Sequence, residues 1–123
     1  MKVLAVAVAL LTPPPAVAEV AVMEIVAGAD RLAFTADQIS AERTIGRDVP
    51  EVLVALQADM ARQMAAMTAR HIGEELVIRV CGEEVMRPVL MEPIVRGRLM
   101  ISVASDAEAQ RVAVLLQTPE CPQ

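Results

Sequence analysis

Aromatic side chains are almost missing from this chain: one phenylalanine, Phe34, and no tyrosine or tryptophan in 123 residues. The core must therefore be aliphatic, with eight methionines supplying the bulk that rings would otherwise give. Lysine occurs once, at Lys2, and histidine once, at His71. A lone histidine leaves the serines without a base at hand, and the five scattered glycines build no phosphate-cradling loop. Basic residues number eleven against sixteen acidic ones, a net charge of -5. An acidic surface without aromatic platforms repels phosphate backbones, which sets nucleic acid aside as a partner. The length suits one domain with its own core and is short for two.

What is present at the N-terminus has the form of an export leader. Met1-Lys2 supplies a positive start, Val3 to Leu11 an unbroken apolar run, and Ala16-Val17-Ala18 a small-x-small cleavage site. The run is too short to span a bilayer, and Pro13-Pro14-Pro15 interrupts it. The expectation is a signal peptide over residues 1–18 and a single mature domain over 19–123, periplasmic or secreted; an ordinary N-terminal strand is the alternative. No cysteine lies near the cut to take a lipid. The mature segment carries ten arginines and all sixteen acids, a charge of -6. Outside the cytosol, Cys81 and Cys121 are expected to bond, stapling the tail to a strand. A reactive thiol would need a neighbouring base, and the sequence offers none nearby.

Residues 72–103 read as the centre of the mature chain: three consecutive strands entered from one helix and left through another. Before them, Val20 to Val26 reads as a strand and Arg31 to Thr35 as its hairpin partner, followed by a turn and a polar strand over Ile39 to Ile45. Glu51 to Leu56 is extended. From Ala58 the period changes, with Met60, Met64, Met67 and His71 on one helical face and Gly73 as the C-terminal cap. Leu76, Ile78 and Val80 alternate with Val77, Arg79 and Cys81, and Glu84 to Met91 returns as a strand whose Pro88 marks an edge or bulge. Arg98 to Val103 is the third strand. Ser105 with Glu108 forms a capping box for a helix from Asp106 to Thr118. The sum is an α+β fold, a mostly antiparallel sheet with two amphipathic helices packed on one face.

The wording within that order carries a resemblance. Phe34-Thr35-Ala36-Asp37-Gln38-Ile39 leads in, and Met64-Ala65-Ala66-Met67-Thr68 is followed by Ile72-Gly73. Leu76-Val77-Ile78 then runs to Gly82, with Pro88-Val89, Glu92-Pro93-Ile94, Gly97, Ile101-Ser102, Glu108-Ala109 and Leu115-Leu116 behind it. Over about residues 32–117 the chain resembles the head subdomain of the first periplasmic domain of the protein-export subunit SecD, as found in SecDF. The resemblance implies contact with exported polypeptide and offers no catalytic residues to carry over. Two positions depart from the family pattern: Cys81, where an Asp before the Gly is usual, and Val95-Arg96, where a second Gly would stand next to Gly97.

Candidate chemistry follows from these placements. Met60, Met64, Met67 and His71 on one helix face are soft ligands suited to cuprous copper in an exported protein. The other reading of that stripe is core, and the resembling family, with large apolar residues at Met64 and Met67, favours it. Adjacent carboxylates at Glu74-Glu75 and Glu83-Glu84 lie at turns and do not converge on one substrate atom, so no enzyme activity and no cofactor are expected. If the helices cover Leu76, Ile78, Val80, Leu99 and Ile101, the opposite face carries Val77, Arg79 and Met100, with Met86 and Leu90 beside them. A Met-containing surface re-packs against varied apolar segments. The leading expectation is a non-catalytic interaction module that meets a polypeptide or envelope protein partner by that face or by the edge at Arg87-Pro88-Val89. Periplasmic copper binding is the runner-up.

Overall fold

The computed structural model describes residues 21–45 and 48–122, so the expected leader lies outside the described residues. Alternating burial shapes the first hairpin: β1 (Met23–Ala27) and β2 (Asp30–Phe34) pair antiparallel, with Met23 opposite Phe34. Thr35 N–H donates to Gln38 Oε1 at 2.9 Å and closes a single 3-10 turn, Ala36–Gln38. The chain then enters β3 (Ile39–Arg43) and returns as β4 (Glu51–Leu56). The later elements are α1 (Ala58–Ala69), β5 (Val77–Val80), β6 (Glu83–Met86), β7 (Arg98–Ser102) and α2 (Asp106–Gln117).

The α+β class stands, but the single sheet is two. One antiparallel sheet has the order β2-β1-β5-β6 and the other β3-β4-β7. The three strands of residues 72–103 are therefore no meander: β5 and β6 pair, whereas β7 leaves them and pairs with β4, Val54 opposite Leu99. The eleven residues between β6 and β7 permit this crossing. They contain Pro88 and Pro93, which lack the N–H needed to prolong a ladder. Pro88 does sit on an edge: the β5–β6 register shifts between Ile78 and Arg79, and pairing resumes through Leu76 N–H to Pro88 O at 2.8 Å.

The helices close a common core with both sheets. Met60, Met64 and Met67 from α1 and Ala109, Val112, Ala113 and Leu116 from α2 join Leu76, Ile78, Val80, Leu99 and Ile101 in one buried cluster. Burying each large aliphatic side chain is worth about 1.5–3 kcal/mol against leaving it in water. α2 lies against β3 and β4, and α1 alongside β2. Ser105 Oγ accepts from Glu108 N–H at 3.1 Å, the cap its sequence foretold. α1 ends a turn before expectation, at Ala69. Gly73 caps nothing there; its N–H donates to Leu90 O at 2.7 Å and opens the approach to β5.

Between β5 and β6, Cys81 (φ 49°) and Gly82 (φ 80°) are both left-handed, as the two central residues of a primed hairpin turn must be. Asp or Asn tolerates the first of those positions, a physical reason for the Asp that the resemblance implies there. Here Cys81 occupies it and is bonded to Cys121, with Cα atoms 5.4 Å apart. The expected staple thus ties the tail to the end of β5.

Candidate functional site

β6 and β7 are terminal strands of their sheets, and the stretch between them folds into the seam. Together they outline a groove of about 280 Å³ lined by Met86, Pro88, Leu90, Ile94, Leu99 and Met100, with Glu92 and Arg98 as its charged residues. Two contacts hold the outer wall. Thr68, wholly buried in α1, donates its hydroxyl to Met64 O at 2.7 Å and accepts the N–H of Ile94 at 2.9 Å. Gly97 (φ 65°) lets the loop pass α1, because a Cβ there would stand 2.8 Å from Ala61 Cβ. The rim is apolar where a monomer ordinarily presents charge: Val89 and Met91 are 53% and 78% exposed, and Val95, farther along the same loop, is 67% exposed.

The groove gathers Met86, Leu90 and Met100 of the five residues assigned to a partner surface, but on different terms. Met86 and Met100 are half-buried at its mouth, whereas Leu90 is 6% exposed and belongs to the floor, a correction to its placement on an outer face. Leu90 turns inward because its N–H pairs with Glu74 O at 2.9 Å and its carbonyl accepts from Gly73, fixing which side of the strand faces the core. Val77 and Arg79 do not line the groove. They alternate with the buried Ile78 and Val80, so they project from the other face of β5, where Arg79 lies opposite Glu24 on one side and Glu84 on the other. Sequence reasoning missed Ile94, Arg98 and Leu99 as groove residues, whereas Pro88, named for a partner-meeting edge, does line the groove. The signal that was available is the proline-broken apolar stretch Pro88 to Ile94, too irregular for a strand and too apolar for a solvated loop.

The copper stripe divides in the structure. Met60, Met64 and Met67 are buried in the core, and none presents its thioether at the surface. His71 lies beyond the helix end and turns elsewhere: Nε2 is 2.6 Å from Asp30 Oδ2 and Nδ1 2.6 Å from Glu74 Oε2. The bonds to Asp30 first, and to Glu74 second, hold the imidazole above its ordinary pKa, against a smaller opposing effect of burial. Asp30 is held below the usual carboxylate range by His71 and then by Arg70, whose Nη2 is 3.2 Å away. This corner is an ion cluster that joins the β1–β2 turn to the end of α1, and it commits both ring nitrogens. Among the described residues, no helix is long and apolar enough to cross a membrane.

Comparison with known proteins meets this geometry from outside. The family model of the SecDF P1 head subdomain matches residues 20–120. The protein translocase subunit SecD of Acidaminococcus fermentans is 34% identical over 74 residues, which is 59% of this chain and 18% of the relative. The chain thus spans less than a fifth of that curated protein's length. Among solved structures, one described as a membrane component SecDF that enhances protein export aligns with a TM-score of 0.62 over 70% of this chain and 40% of its own. SecDF in a super-membrane-facing form gives the same score over 12% of its chain. Both are 24% identical to this chain, so they speak for the fold. With the family model spanning nearly all the described residues, the chain belongs to the SecDF P1 head subdomain family.

Proposed function

We propose that this domain is a non-catalytic module which, after loss of a leader cut near Ala18, works outside the cytosol and receives another polypeptide in the groove between β6 and β7. The observation that carries the reading is the groove itself: an apolar floor, the half-buried thioethers of Met86 and Met100 at its mouth, and an exposed apolar rim at Val89 and Met91. Thioether side chains adjust to segments of different shape, a property suited to a partner defined by being unfolded more than by its sequence. The names of the relatives, a protein translocase subunit and a component that enhances protein export, support a polypeptide in transit as the partner class. The ion cluster at His71 lends no support to a base: both ring nitrogens are committed to carboxylates, and His71 does not line the groove.

The test is site-specific photocrosslinking. A benzophenone amino acid at Met100 should capture an exported protein held unfolded, and the same group at Arg62, on the outer side of α1, should not. Equal capture at both positions, or none at Met100, overturns the assignment. N-terminal sequencing of the exported material should begin at Glu19; a chain retaining Met1 in the envelope fraction would remove the leader.

A further inference from the structure

The main chain of β7 adds something the side chains do not reveal. Its register with β4 is flanked by Leu56 N–H to Gly97 O at 2.8 Å and Val103 N–H to Pro50 O at 3.0 Å. In an antiparallel ladder the bonding residues alternate, so Gly97, Leu99, Ile101 and Val103 turn their peptide groups toward β4. The N–H and C=O groups of Arg98, Met100 and Ser102 then point the opposite way, along the margin of the groove. Among the described residues no strand hydrogen-bonds to β7 on that side, although β6 comes near β7 without pairing. An open strand margin beside an apolar groove is a template for another strand: peptide groups supply affinity, and alternate side chains of the guest enter the pocket.

Charge says what the guest carries. Arg31, Arg70, Arg87 and Arg111 are each in an ion pair within the fold. Arg98, like Arg43, Arg62, Arg79 and Arg96, is in no ion pair among the described residues, but of these five it alone lines the groove, where it is exposed. Glu92, the other charged residue of the lining, sits on the crossing loop and not on the strand that would make the pairing. In a protein whose net charge is -5, a free guanidinium at the start of the open strand calls for an anion from the partner. Resting on the polypeptide-binding reading, we propose that the outer margin of β7 binds an extended apolar segment by strand addition, its alternate side chains between Met86, Leu90 and Met100 and an acidic residue of the segment against Arg98.

The probe is a labelled ten-residue peptide of alternating valine and serine with one glutamate near an end, followed by fluorescence anisotropy on the mature chain. Two versions are N-methylated, one at the odd amides and one at the even. Strand addition uses one edge of the guest, so one version should bind at least roughly tenfold more weakly while the other matches the parent, since several net hydrogen bonds are lost together. Replacing the glutamate by lysine should weaken binding to the wild type and be tolerated better by Arg98→Glu, whose exposed site leaves folding intact. If the parent peptide binds and is lost in Met100→Glu but both methylated versions bind alike, strand addition falls while polypeptide binding stands. If the parent peptide does not bind, strand addition falls as well, and the photocrosslinking result alone judges the wider reading. Loss of binding in Arg98→Glu with no recovery by the lysine peptide overturns the acidic contact.

Discussion

Two of the four terminal strands, β2 and β7, make opposite use of their positions. β2 has α1 beside it, and the turn that begins it is locked by Asp30 to His71 and Arg70, so every charged group there has a partner within the fold. β7 has no strand hydrogen-bonded to its outer margin among the described residues, β6 only approaching it; Arg98 there is in no ion pair, and the adjoining loop exposes Met91 and Val95. Natural sheets usually cover or charge their margins because an open one recruits other chains. The fold closes one margin with a helix and an ion cluster and leaves another without a paired strand beside an apolar groove, and it is the second that we assign to a guest. The lesson is that an edge left uncovered where the same molecule shows how to cover one is a place to look for function.

The largest effect on that contrast should come from the closed sheet. Cys121→Ser frees the tail from the end of β5, and a bridge spanning 40 residues stabilises by up to about 4 kcal/mol on chain-entropy grounds. The variant should melt well below the wild type in calorimetry, and an unchanged melting temperature would show that the bond constrains little. Next is Thr68→Val, which keeps the shape but leaves the part-buried N–H of Ile94 without its acceptor. An unsatisfied donor of this kind costs about 1–3 kcal/mol. Because Thr68 supports the groove wall, this variant should also release the peptide faster, and retention of full affinity would separate wall from groove.

The His71 corner predicts a pH dependence with a definite sign. Its folded pKa is raised, so the imidazolium stabilises the native state fully below its unfolded value near 6.5, and that contribution is lost as pH rises through the folded value. Asp30 acts at the other end: its lowered pKa gives stability above about 3.8 that disappears as pH falls through the folded value. Melting temperature followed across pH should fall on the alkaline side in the wild type and be flatter there in His71→Gln, with groove binding of peptide unchanged in both. Identical alkaline profiles would mean the cluster contributes nothing. The smallest effect on stability belongs to Arg98→Glu, an exposed and unpaired position where a change within about 0.5 kcal/mol is expected. Its consequence should be confined to peptide preference; a large loss of stability would show that Arg98 holds the seam closed.

Much of this molecule was legible along the chain. Leu76, Ile78, Val80, Leu99 and Ile101 alternate as buried strand positions, Ser105 caps α2, Pro88 marks an edge, and Cys81 pairs with Cys121. Each of these is decided within a few residues, or by the compartment in the case of the cysteines. The groove was only half legible. Met86, Leu90 and Met100 were all assigned to one exposed sheet face, but Leu90 lies on the groove floor and Arg98 was overlooked, because both depend on how a proline-broken stretch crosses between sheets. The helix-face pattern of Met60, Met64, Met67 and His71 was real for the three methionines and misleading for the histidine, since α1 stops before His71 and Asp30 draws it away.

Sequence by itself determined the class of the fold, its aliphatic core, the acidic surface, the staple and the positions of most elements, since periodicity, capping and composition are properties of neighbours along the chain. Only the tertiary structure decided that the strands divide into two sheets, that β7 joins β4 instead of β6, and that its far side is left open. Those outcomes turn on which distant strands find each other across a crossing loop held by Thr68 and Gly97, and pairing between segments far apart is not written in the pattern of either one.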